Sequence, residues 1–159
     1  MERRVNVRGV AVDSEGRIFA VKHHNSSTNE ETDYWAIPGG GLDVGESLES
    51  GLAREFEEEL GIVPVVGRLL FVRQFIYTHR NGTRSEKMEL FFHVTNVADF
   101  KGKVDLSATS HGHELSRAAF IDASTSDLLP DFLQEIYLRK HTDNIHPVLF
   151  INNLNEVSR

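Results

Sequence analysis

Three glutamates carry the first hint of chemistry in this chain. Glu55, Glu58 and Glu59 stand at i, i+3 and i+4 of a helical register, so their carboxylates share one face. Like charges at that spacing cost a helix roughly 0.2–0.5 kcal/mol per pair, and carboxylates in a last helical turn also oppose the macrodipole. A sequence that breaks local rules repeatedly in one place usually does so for function. A hard divalent cation removes both penalties, because Mg²⁺ takes oxygen ligands and shares its shell with water and phosphates. A solvated acidic face is the plainer account of the helix taken alone. Just ahead, Pro38, Gly39, Gly40 and Gly41 form a turn whose main chain can approach a ligand and offer a carbonyl. Arg54 is the single cation between Gly40 and Ile62, placed to pair with Glu46 or a neighbouring carboxylate and hold that turn to the helix.

Positioning these groups requires a helix and something to anchor it. Leu48, Leu52, Phe56 and Leu60 recur every four residues with Ala53 alongside, which predicts a helix over 47–60. Ser47 suits its N-cap and Gly61 its left-handed C-terminal residue. Before it, residues 5–12 are apolar on both faces, as in a buried strand. Residues 13–16 then form a turn and 17–23 a second strand, a predicted hairpin. The segment 25–33 (NSSTNEETD) is polar and predicts a loop. After the helix come strands at 65–77 and 87–97, joined by a turn marked by Asn81-Gly82. A loop over 101–112, a short strand over 117–121 and a helix from Pro130 to about Lys140 complete the pattern. Strands interleaved with two helices argue a mixed α/β layer structure.

The charge balance points to the same place. Of 159 residues, 24 are acidic and 17 basic, a formal net charge of −7. Residues 40–62 hold Asp43, Glu46, Glu49, Glu55, Glu57, Glu58 and Glu59 against Arg54, so this short segment owns nearly all of the imbalance. The length is that of one domain, 1–159. No apolar run is long enough for a membrane span, no signal peptide core follows the N-terminus, and no basic run predicts a nucleic-acid surface. The chain has no cysteine, which excludes disulfides and thiolate chemistry and fits a cytoplasmic setting.

Residues 40–62, GGLDVGESLESGLAREFEEELGI, resemble the Nudix box, G-x5-E-x7-R-E-U-x-E-E-x-G-U with U a bulky apolar residue. Gly40, Glu46, Arg54, Glu55, Glu58, Glu59 and Gly61 fill its fixed positions and Ile62 its last apolar one. Phe56 puts an aromatic where an aliphatic is usual, a departure expected to concern packing only. A chance match of seven residues is on the order of 10⁻⁹ per starting position. The resemblance extends to the Trp-x-x-Pro-Gly-Gly approach at Trp35–Gly40 and the strands after the helix. It implies an α/β fold with a mixed β-sheet sandwiched between α-helices (α/β/α). It also implies a Mg²⁺- or Mn²⁺-dependent hydrolase, MutT-like, that cleaves the phosphoanhydride of a nucleoside diphosphate linked to another moiety.

Residue by residue, Glu55, Glu58 and Glu59 carry over as metal ligands, Gly39 as a carbonyl ligand, and Glu46 with Arg54 as the structural pair of the box. The general base is either Glu58 or Glu114, the latter by analogy with a further glutamate that many members take from a later loop. His111 and His113 read as surface residues. For substrate contacts, Arg73, Tyr77 and Trp35 are the candidates, with His24 beside them, whereas Arg80 and Arg84 read as solubilising turn residues. The downstream proline of ADP-ribose pyrophosphatases is missing, since no proline lies between Pro64 and Pro130. An isoprenoid diphosphate isomerase of this fold would need a cysteine. A non-catalytic nucleotide- or metabolite-binding module is the remaining alternative, although the box is intact. Dimers are common in the family, and the apolar segment 148–151 (VLFI) is either such a contact or an edge strand.

Overall fold

The computed structural model describes residues 1–25, 27–135, 142 and 146–155. Its strands are β1 (Glu2–Val10), β2 (Ile18–Asn25), β3 (Glu30–Glu31), β4 (Trp35–Ala36) and β5 (Gly39–Gly41) before helix α1 (Leu48–Leu60). After it come β6 (Val66–Thr78), β7 (Arg84–Val94), β8 (Leu115–Ile121), β9 (Leu128–Leu129), the short helix α2 (Phe132–Glu135) and β10 (Leu149–Asn153). One mixed sheet runs β10-β6-β7-β1-β5, and a second is built on β2, which pairs with β3, β4 and β8 while β4 pairs with β9. Of the helix predicted to reach Lys140, Phe132–Glu135 is observed and 136–140 lie outside the described residues. The apolar segment 148–151 falls largely in β10, which pairs in parallel with β6 and leaves Phe150 exposed.

The predicted hairpin of 5–12 with 17–23 is corrected. The chain does reverse there, with the Asp13 N–H donating to the Arg17 carbonyl at 2.9 Å and a bridge between Val12 and Ile18. Beyond that point the strands part. Between two other strands, β1 lies parallel to β7 and antiparallel to β5, whereas β2 enters the second sheet. A strand apolar on both faces must be covered on both, and a single hairpin partner does not bring it into the middle of a sheet. The end of the segment predicted as a loop carries a short strand, since β3 pairs with the end of β2 through His24–Glu31 and Asn25–Glu30.

The turn after β1 is tied by Asp13. Its Oδ1 accepts the N–H groups of Glu15 (3.0 Å) and Arg17 (2.9 Å), and its Oδ2 accepts Arg17 Nε at 2.9 Å. Burial alone would raise this carboxyl's pKa, yet the Arg17 and Glu15 donors outweigh it and hold the group below its usual range. A depressed carboxyl stabilises the fold above its unfolded pKa and loses that contribution as pH falls through the folded value. Urea unfolding should therefore separate wild type from Asp13→Asn at about pH 6, with the gap closing towards about pH 2. A gap that stays constant across that range would remove the carboxylate from the turn's stability.

Both faces of the sheets are covered. On one, Leu52, Phe56 and Leu60 of α1 pack with Val7, Phe19, Phe92 and Val94. On the other, Leu133 of α2 joins Ile18, Ala20, Ile37, Phe71 and Phe91. This is the expected α/β/α sandwich. Full burial of Phe56 contributes about 2–3 kcal/mol, and Gly9 makes room for it: a Cβ on Gly9 would lie 2.4 Å from Phe56 Cζ. Among the described residues no helix is long and apolar enough to cross a membrane.

Candidate active site

Helix α1 fixes the register of the glutamates through its ends. Ser47 accepts the Ser50 N–H at 3.1 Å, and Gly61 closes the helix at φ 68° with its N–H directed to Glu57 and Phe56 carbonyls. With Leu52, Phe56 and Leu60 pinned in the core, Glu55, Glu58 and Glu59 must project along the adjoining face. Loop 101–112, read from sequence only as a connection, satisfies the helix's last carbonyls. His111 N–H donates to the Glu58 carbonyl at 2.8 Å and Thr109 Oγ1 to that of Glu59 at 3.2 Å. The helix end is thus less costly than a bare C-terminus.

Glu59 is the odd member. It is only 6% exposed, and its Oε2 is buried with no hydrogen-bond partner among the described residues. Burial, then the charge of Glu55, pushes its pKa up to about 7; Glu114 adds to the effect, while Arg8 and the Gly39 N–H work against it. Buried polar atoms are rarely left unpaired, and an orphaned carboxylate oxygen in a cluster of acids calls for a cation.

The glycine turn brings the main chain against these acids. Gly39 has φ +129°, and a Cβ there would stand 2.1 Å from the Val7 carbonyl oxygen. A Cβ on Gly40 would meet the Glu55 carboxylate at 2.4 Å. Gly40→Ala should therefore displace Glu55 and weaken divalent-cation binding, read as loss of the Mg²⁺-induced rise in Tm. Gly39→Ala should instead unfold the protein more readily, by at least about 2 kcal/mol, because strained φ adds to the clash. Equal effects of the two substitutions on Tm without cation would contradict this division.

Arg54 sits among the carboxylates as a five-fold donor. Its Nε and Nη2 fork onto Glu46 Oε1 and Oε2 at 2.9 and 3.0 Å, and Nη2 also donates to the Gly41 carbonyl at 3.0 Å. Nη1 reaches Glu55 Oε1 at 2.9 Å and Glu58 Oε2 at 3.3 Å. Paired first with Glu46, the guanidinium is held charged beyond its ordinary range, and the same fork keeps the Glu46 carboxyl below its own. The expected pairing of Glu46 with Arg54 is present as a bidentate contact. Among the described residues no three His, Asp or Glu side chains stand close enough together to hold a metal ion, since Arg54 draws Glu55 and Glu58 to itself. The donor set still fits a hard cation: oxygen-only ligands, the orphaned Glu59 oxygen, and a glycine cradle open beside Glu55.

The two candidate bases differ in setting. Glu58 Oε2 lies 3.1 Å from Nδ1 of His111, which is exposed. Glu114 is exposed in a short 3-10 turn, Gly112–Glu114, and its charge reaches both Glu59 and His23. Gly39, Glu55, Glu58, Glu59 and Glu114 are thereby brought to one end of the sheets.

Next to this end a cleft opens, lined by Arg8, His23, Tyr34, Arg73, Phe75, Tyr77, Lys87 and Glu89. Arg73 and Tyr77 are in it. Trp35 is not: it packs partly buried against the second core, with Lys22 Nζ 5.5 Å from its ring. His24 pairs with Asn29 outside the cleft. Sequence reasoning missed Arg8 and Glu89. Arg8 donates to the Gly39 carbonyl at 2.7 Å and the Ile37 carbonyl at 3.3 Å, and its Nε and Nη2 reach Glu89 Oε1 at 3.2 and 3.1 Å. Glu89 also faces Arg73 Nη1 at 3.6 Å. A glutamate inside the apolar run of β7 was the available signal. Burial, then the charge of Arg8, lowers the His23 pKa, and burial also lowers that of Lys87.

Comparison with known proteins agrees with this architecture. A family model described as the NUDIX domain matches residues 2–137. A MutT-like protein of Streptomyces ambofaciens is 38% identical over 80 residues, covering 50% of this chain and 44% of that protein. An ADP-ribose pyrophosphatase of Methanocaldococcus jannaschii is 35% identical over 68 residues, 43% of this chain and 38% of the relative. These matches span less than half the length of either curated relative. In fold, the chain is similar to the crystal structure of a MutT protein from Methanosarcina mazei Go1. That likeness has TM-score 0.65 and 23% identity, over 89% of this chain and 97% of that one.

Proposed function

Since the chain belongs to the Nudix family, we propose that it is a divalent-metal-dependent hydrolase cleaving the phosphoanhydride bond of a nucleoside diphosphate linked to another moiety. The observation that carries the reading is the buried, unpartnered Glu59 oxygen beside the glycine turn. Glu55, Glu58 and Glu59, with the Gly39 carbonyl, would hold Mg²⁺ or Mn²⁺, and Arg54 with Glu46 braces the turn against the helix. When bound there, a divalent cation would supply charge to neutralise the diphosphate and to lower the pKa of a water. Glu58 or Glu114 would serve as the general base. Arg73 and Tyr77 contact the substrate in the cleft, while the position of Trp35 gives it a packing role. Residues 1–159 act as one domain in this reading, and a chain without cysteine suits the cytoplasm.

The relatives named above as MutT-like and as an ADP-ribose pyrophosphatase support a nucleotide-linked diphosphate as substrate class. With Mg²⁺ and a panel of nucleoside diphosphate derivatives, the protein should release nucleoside monophosphate. Binding of panel members without hydrolysis of any, metal present, would make the chain a nucleotide-binding module instead.

A further inference from the structure

The cleft beside the carboxylates holds three cations, Arg8, Arg73 and Lys87, against one carboxylate, Glu89. Arg8 and Arg73 share the buried Glu89 between them. Lys87 feels the charge of Glu89 but makes no ion pair with it among the described residues. Its ammonium lies 4.2 Å from the centre of the Tyr77 ring, and no oxygen of a described residue is within hydrogen-bond reach of it. An ammonium has three donors, so Lys87 offers them to whatever enters the cleft.

Its place in the sheets sets which part of a substrate it meets. Gly39 pairs with Arg8, and Arg8 with Phe91. Two strand spacings of about 4.8 Å separate Gly39 from β7, and Lys87 lies a further roughly 13 Å along that strand. The backbone separation is then roughly 16 Å, wider than a diphosphate. On the way, Arg73 stacks over Phe75 with its guanidinium carbon 4.0 Å from the ring centre. The cleft floor thus alternates cation and aromatic ring, leading away from the reacting end, with Lys87 and Tyr77 at its far part.

We propose that Lys87 is a specificity-determining residue that selects substrates carrying a second phosphate, a monoester on the part of the nucleotide remote from the cleaved linkage. The proposal rests on the hydrolase reading only for its kinetic test. Charge-assisted hydrogen bonds from Lys87 would hold that phosphate, and Tyr77 keeps the ammonium extended into the cleft.

Two matched pairs of nucleoside diphosphate derivatives differ by one ribose phosphate: NADP and NAD, and coenzyme A and its dephospho form. With Mg²⁺, the phosphorylated member should have a KM lower by roughly tenfold, with kcat little changed between members. In Lys87→Met the ratio should fall to near one, and in Lys87→Arg it should return. Calorimetry of the same pairs on wild type, with Ca²⁺ in place of Mg²⁺ to suppress turnover, reads the preference without hydrolysis. A ratio near one in wild type for both pairs, a preference that survives in Lys87→Met, or no binding of any of the four would overturn the proposal. Hydrolysis without the preference leaves the hydrolase reading intact. A calorimetric preference without hydrolysis does the reverse.

Discussion

Glu59→Gln should lower kcat by on the order of 10²–10⁴ while leaving the fold in place. The substitution keeps the shape of the side chain and removes the charge whose Oε2 is buried without a partner. Breaking a buried pair is costly because it strands a charge, but here the charge is the stranded group, and removing it relieves desolvation. Its repulsion with Glu55, one of the two leading causes of the raised Glu59 pKa, goes too. The new amide can donate to the neighbouring carboxylates. Tm without metal should therefore hold or rise, and Mg²⁺ should raise the Tm of wild type but not of the variant, as expected when a ligand binds only the native state. A variant that loses both Tm and activity would instead mark Glu59 as a structural residue.

Arg54→Ala should show the opposite signature, a large loss of stability. Removing the guanidinium leaves Glu46, Glu55 and Glu58 without their shared cation and frees the Gly41 carbonyl. Because the side chain is partly exposed, the loss falls somewhat below that of a fully buried pair, about 2–4 kcal/mol. Arg54→Lys keeps the charge and loses the fork, so it should recover only part of that loss. Urea unfolding at neutral pH measures both. Indistinguishable midpoints for Arg54→Ala and wild type would mean that the bidentate contact with Glu46 contributes nothing to holding the turn.

What was legible in the sequence was what is local. The spacing of Glu55, Glu58 and Glu59, the Ser47 and Gly61 caps and the Asn81-Gly82 turn all act within a few residues, and each appears where its chemistry predicts. Strand partnership acts over distance. Nothing within residues 5–23 says that β1 is flanked by β7 and β5 rather than by β2. The same holds at the site. Arg8 and Glu89 are 81 positions apart, so their contact exists only after β1 and β7 pair in parallel. The ring of Trp35 suits a base pocket or a core equally in sequence, and its packing against the second core depends on residues far along the chain. The loop carrying Thr109 and His111 read as filler because carbonyl capping leaves no residue-type pattern in a sequence.

Gly9 and Phe56 carry a consequence for how such chains vary. The phenyl ring of α1 occupies the volume that a side chain on β1 would take, so neither position is free to change alone. A Cβ on Gly9 would also lie 2.9 Å from Val94 Cγ2, so Gly9→Ala should be destabilising, and an aliphatic residue in place of Phe56 should relieve it only in part. The two substitutions should be strongly non-additive. Two core side chains, one on the helix that carries the carboxylates and one on β7, thus jointly limit what β1 can carry at this point, so the effect of any one change depends on the other two.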